Sequence, residues 1–193
     1  MGLHHYAGRL FAAGIFAVIS AGYAEEDHRE LGSHVHGRAT LAIAVEANSV
    51  QIEFAAPGMD IVGFEHEAET ARQKRAVETA LADLREPLKL FVFPETAGCT
   101  VTSAEVNVIA EDDEHHDAEA ETDDTAETEE LDDRHAEFRA TYALACADAA
   151  QLTSIYFPFF DRFAEAHALA VTIIDADGQS SSDVTSDYRH LER

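Results

Sequence analysis

Residues 39–55 read ATLAIAVEANSVQIEFA. Apolar side chains alternate with small or polar ones on both sides of Ala47-Asn48-Ser49. Successive side chains of a strand point to opposite faces, so each run presents one apolar face, and the three residues between them suit the turn of a β-hairpin. Just upstream stand His34 and His36. If the strand begins at His34, positions i and i+2 bring both imidazoles onto one face, which is half of a metal site.

Beyond the hairpin, Pro57-Gly58 breaks the second strand. Residues from about Glu65 to Glu86 are expected to form a helix with Val77, Ala80, Leu81 and Leu84 on one face. Glu65, Glu67 and Glu69 near its start and Arg85 near its end suit the helix dipole, and Pro87 stops it. LKLFVF (88–93) and TVTSAEVNVIA (100–110) read as two further strands, and HAEFRATYALAC (135–146) as another. Set against HVHGRATLAIAV (34–45), that last stretch matches at six of twelve positions, with His135 opposite His34, which suggests an internal repeat. A helix around 148–165, a strand at HALAVTII (167–174), a turn at Asp177-Gly178 and a weaker strand near 179–185 complete the chain. This order predicts an α+β fold: an antiparallel sheet with helices packed on one face. The repeat would divide it into two related strand–helix–strand–strand halves.

The first 24 residues carry one fixed positive charge, Arg9, then an apolar run from Leu10 to about Ala21 and a small-residue exit at Gly22-Tyr23-Ala24. That layout predicts a secretory signal peptide cleaved near Ala24, and hence an exported protein with no membrane insertion after cleavage. Residues 25–110 and 134–193 are expected to form the two parts of the α+β domain. Between them, residues 111–133 hold 14 acidic residues and no Lys or Arg, so they cannot bury enough surface to offset their ordering entropy and are expected to be disordered. The whole chain has 13 basic and 38 acidic residues, a formal −25, which repels nucleic acid and concentrates cations. Cys99 and Cys146 form an even pair in an exported chain, which predicts one disulfide; a shared metal site is the rival reading, without the support of a CxxC spacing.

Histidines beside carboxylates mark the candidate chemistry. Imidazole nitrogen with carboxylate oxygen is a zinc ligand set, whereas calcium takes oxygen alone. His34 and His36 are the first candidates, and the repeat makes His135 the best distant partner. Glu65 and His66 form a second pair, and His115-His116 inside the acidic stretch a third, suited to weak, fast-exchanging capture. His28, His167 and His190 read as surface histidines. No HExxH, GxSxG, Walker or GxGxxG motif occurs, so catalysis is not expected.

Taken together, His34-x-His36-Gly37, the Asp60-x-x-Gly63-Phe64-Glu65-His66 box, the two cysteines and the acidic insert resemble a family of zinc-regulated, histidine-rich periplasmic zinc-binding proteins. The resemblance spans roughly residues 33–185. It implies bound zinc, a role in zinc uptake or buffering, and exchange of zinc with a periplasmic component of an importer. The insert holds only two histidines, so what the resemblance implies rests on the sites outside it. The alternative is a secreted interaction domain whose acidic loop meets a basic protein partner.

Overall fold

The computed structural model describes residues 35–111 and 135–193. The expected signal peptide, the lead-in up to residue 34 and the acidic insert from residue 112 lie outside the described residues, as do His28, His34, His115 and His116.

The hairpin forms as its alternation demands. Strand β1 (Arg38–Glu46) turns at Ala47-Asn48 into β2 (Ser49–Pro57), with Leu41 opposite Phe54 and Ile43 opposite Ile52. Three short helical segments follow: α1 (Gly58–Val62), α2 (Ala71–Leu84) and α3 (Pro87–Leu90). Next come β3 (Thr100–Glu111), β4 (His135–Ala145), β5 (Ser154–Tyr156), α4 (Phe159–Arg162), β6 (Ala168–Asp175), β7 (Gly178–Thr185) and β8 (His190–Glu192). The main sheet has six strands in the order β3-β4-β2-β1-β6-β7, and β5 pairs with β8 in a small second sheet. Every neighbouring pair is antiparallel except β1 and β6, which run parallel. The architecture is α+β, as the element order requires.

One consequence of this topology positions the candidate site. Strands β1 and β4 both lie antiparallel to β2, on its two sides, so they run in the same direction. Strand β6 shares that direction through its parallel register with β1. The first residues of β1, β4 and β6 therefore gather at one end of the sheet, where β2 ends. The two stretches that resemble each other in sequence are these flanking strands β1 and β4. Their outer neighbours differ, β6 running parallel to β1 and β3 antiparallel to β4.

One face of the sheet is buried. Leu41, Ile43, Ile52, Phe54, Phe138, Tyr142, Leu144, Leu169 and Val171 all point to it, and each is at most 2 % exposed. The covering layer brings Ala80 and Leu84 from α2, together with Phe91, Phe157, Phe159, Phe160 and Phe163. Phe54 on the sheet meets Phe91 and Phe159 across the interface at centroid distances of 6.0 and 5.5 Å. Such aromatic pairs each contribute about 0.5–1.5 kcal/mol beyond their area. The buried Tyr142 hydroxyl donates to the Leu84 carbonyl at the end of α2, and burial raises its pKa above the ordinary phenol value. Among the described residues, no helix is long and apolar enough to cross a membrane.

Four local expectations are corrected. The expected helix from Glu65 starts only at Ala71, because Thr70 and Gln73 form a reciprocal capping box that fixes the N-terminus there; the acids at 65, 67 and 69 precede it. The expected strand 88–93 opens as a helical turn, since Pro87 sits at the first helical position, where its fixed φ and missing N–H are harmless. Only Val92 behaves as strand, bridging Tyr156. The expected helix 148–165 is broken into a 3-10 turn at Ala149–Gln151, β5 and α4. Ile155, Phe157 and Phe159 are buried at alternate positions, an extended pattern that leads up to α4. Finally, β1 begins at Arg38, downstream of the histidines. Gly37 has φ +80°, and the Arg38 N–H donates to the Val35 carbonyl, closing a turn that holds His36 off the strand.

Cys99 and Cys146 are joined in a disulfide, 47 residues apart in sequence. They flank the β3–β4 pair just outside Thr100 and Ala145, which face one another in the register. The disulfide thus clamps this pair at the end opposite to His135. Closing a loop of this length stabilises the fold by about 4 kcal/mol in the chain-entropy model. The double variant Cys99→Ser/Cys146→Ser is expected to lose about that much unfolding free energy in urea, as is the reduced wild type. A loss well under 1 kcal/mol would show that the clamp is energetically idle.

Candidate metal centre

Each of the three co-directional strands has a histidine at its start. His135 is the first residue of β4, His167 immediately precedes β6, and His36 lies two residues before β1. The carboxylates come from the segment that follows β2. Asp60 is on α1 and Glu65 on the loop after it, beyond Gly63, whose φ of +80° ends that helix. Gly58 starts the segment where no side chain fits: a Cβ there would stand 2.6 Å from the Phe64 carbonyl and 2.9 Å from that of Ala136.

Glu65 is the centre of the arrangement. Its carboxylate, 9 % exposed, accepts from Nε2 of His36, 3.0 Å from Oε1 and 3.1 Å from Oε2. It also accepts from Nδ1 of His135, 2.7 Å from Oε2. An ionised carboxylate only accepts, so these contacts place the protons on His36 Nε2 and His135 Nδ1. The backbone fixes the loop as well, the Ala136 N–H donating to the Glu65 carbonyl at 2.8 Å. The two histidines keep solvent access, with side chains 58 % and 43 % exposed, so a small cation can reach the three groups from water.

Asp60 supports the His36 turn from below. Its Oδ1 accepts from the Gly37 N–H at 2.7 Å. The Gly37 carbonyl in turn accepts from the N–H groups of His167 and Ala168 at 2.9 and 2.8 Å. The residue next to His36 is therefore pinned on one side by α1 and on the other by β6. Gly37 must be glycine, both for its positive φ and because a Cβ would stand 3.0 Å from the His167 ring.

The donor set, two imidazoles and a carboxylate, suits zinc. Zinc–ligand bonds of about 2.0–2.1 Å in a tetrahedral shell put neighbouring donor atoms about 3.3 Å apart. The nitrogen–oxygen separations around Glu65, 2.7–3.1 Å, are a few tenths of an ångström shorter, as hydrogen bonds require, so a shared ion would have to open both contacts. Among the described residues, no three His, Cys, Asp or Glu side chains form a ready-made metal-holding group. The described arrangement is a hydrogen-bonded one in which the Glu65 carboxylate bridges the two imidazoles.

The structure thus brings together His36, Glu65 and His135 from the residues singled out in the sequence. His66 faces elsewhere: its ring stacks on Phe64 at 5.1 Å and its Nδ1 contacts the Glu67 carbonyl. His190, on β8, lies beside Tyr156. Sequence reasoning missed Asp60, while His167, read as a surface histidine, is exposed, with its ring beside Gly37. Asp60 was visible in the Asp60-x-x-Gly63-Phe64-Glu65-His66 box, but nothing local marks it as buried. His167 gains its place only through the parallel pairing of β1 with β6.

Burial raises the Asp60 carboxyl above its ordinary value of 3.8, against the lowering effect of the Gly37 amide. A carboxyl whose folded value is raised contributes stability that is complete below its unfolded value and lost as pH climbs through the folded one. Asp60→Asn removes that loss. In urea unfolding of the metal-free protein from acid to neutral pH, the variant is expected to gain on the wild type as pH rises. Parallel curves would show that Asp60 ionises as easily folded as unfolded.

No curated protein matches this sequence. Residues 33–192 match a family model described as ZrgA family zinc uptake protein, and the chain belongs to that family.

Proposed function

We propose that this protein is a periplasmic zinc-binding accessory of a zinc importer, holding zinc at His36, Glu65 and His135 and passing it on without catalysis. The observation that carries this reading is the buried Glu65 carboxylate accepting from both imidazoles at once. The zinc-uptake family supplies the cargo, and the formal charge of −25 draws cations toward the protein. The site is open enough for exchange, as a carrier requires. The signal-like N-terminus supports export. His34, two residues from His36, and His115-His116 in the acidic stretch remain candidate auxiliary ligands for capture.

The test is zinc titration of the metal-stripped protein against a chromophoric chelator, at salt that screens surface charge. The wild type is expected to hold zinc tighter than about micromolar. Glu65→Gln keeps the shape but loses the negative charge and one acceptor. It is expected to weaken binding by more than the roughly 10–100-fold typical of lost outer-shell partners. His36→Ala and His135→Ala should do the same. Binding that is weak, salt-sensitive and indifferent to all three changes would sink the proposal.

A further inference from the structure

Three acidic side chains are buried among the described residues: Asp60, Glu65 and Glu137. Glu65 is engaged by two histidines, and Glu137 by the guanidinium of Arg139. Asp60 is the exception. It is 1 % exposed, and while Oδ1 holds the Gly37 amide, Oδ2 has no hydrogen-bond partner among the described residues. A buried anionic oxygen left unpaired is costly, and natural proteins keep such groups where a missing ion or a function accounts for them. Among the described groups that act most strongly on Asp60, His36 and His167 favour its charge and Glu65 opposes it.

The charge balance points one way. Two carboxylates, Asp60 and Glu65, reach from one short segment toward the same turn at residues 36–37. With neutral imidazoles they leave two negative charges in a poorly solvated spot. One divalent cation offsets both, and neutral imidazole donors select for zinc over calcium or magnesium. We propose that Asp60 is a positioning residue of the zinc site, locking the His36 turn through Gly37 and holding the second buried negative charge that the bound cation neutralises. Resting on the zinc-carrier reading, this adds what that reading lacks: a source of affinity that does not touch the ion. The metal-free protein carries the cost of Asp60 as lost stability, and zinc relieves it.

Asp60→Asn tests this, because the amide oxygen can still accept from the Gly37 N–H while the charge is gone. Zinc affinity, read by chelator competition, is expected to fall about 10–100-fold, while the unfolding midpoint of the metal-free variant at neutral pH rises. Opposite signs are the signature, since a merely structural residue moves both downward together. An affinity within twofold of wild type, or a fall in both quantities, overturns the proposal. If the variant does not fold, the wild type decides through hydrogen exchange at the Gly37 amide, which zinc should slow at least tenfold; an unchanged rate counts against the proposal. Failure of the carrier reading looks different: the wild type itself then shows no tight zinc, whereas failure of this inference alone leaves tight zinc that depends on Glu65 and not on Asp60.

Discussion

Strand β2 is the constraint on which the rest depends. By pairing antiparallel with β1 on one side and β4 on the other, it forces those two strands into the same direction. Residues nearly 100 positions apart in sequence then begin at the same end of the sheet. The parallel β6 joins them there. A strand start is a natural place for a functional side chain, because the backbone is held by the sheet while the side chain remains at the rim. The covered face, with its phenylalanine layer, anchors the sheet, and the disulfide clamps β3–β4 at the far end from that rim.

Onto this rim the chain brings carboxylates from a single short segment, and burial makes them consequential. In water, Glu65 and two histidines would form exposed pairs contributing little. At 9 % exposure the same carboxylate depends on its partners to offset its buried charge. Asp60 goes further, since one of its oxygens has no hydrogen-bond partner among the described residues. A site that is uncomfortable when empty binds its ion more tightly, at the expense of the metal-free fold.

Much of the fold was legible because it rests on periodicity. The hairpin at 39–55, the strands at 100–110 and 135–146, and the turn at Asp177-Gly178 all announce themselves by alternation and turn residues. Errors arose where local chemistry overrode pattern. The Thr70–Gln73 capping box delayed α2, and Pro87 began a helical turn where a strand was expected. The aromatic-rich stretch from Ile155 packed as extended chain before α4. Of the site, His36, Glu65 and His135 were readable as histidines and acids in telling positions. Their joint geometry was not, because it arises from sheet topology, and His36, expected on the strand, sits in a turn at Gly37. The burial of Asp60 has no local sequence signal, since it depends on the packing of α1 against β2, β4 and α2 and on its bond to the Gly37 turn.

The most direct measurement is the zinc X-ray absorption spectrum of the protein loaded with one equivalent of the metal. The account predicts a low-coordinate shell at about 2.0–2.1 Å containing two imidazoles and a carboxylate oxygen, with the imidazole scattering reduced in His36→Ala and in His135→Ala. A shell of oxygen alone, or imidazole scattering unchanged in both variants, would place the zinc elsewhere and contradict it.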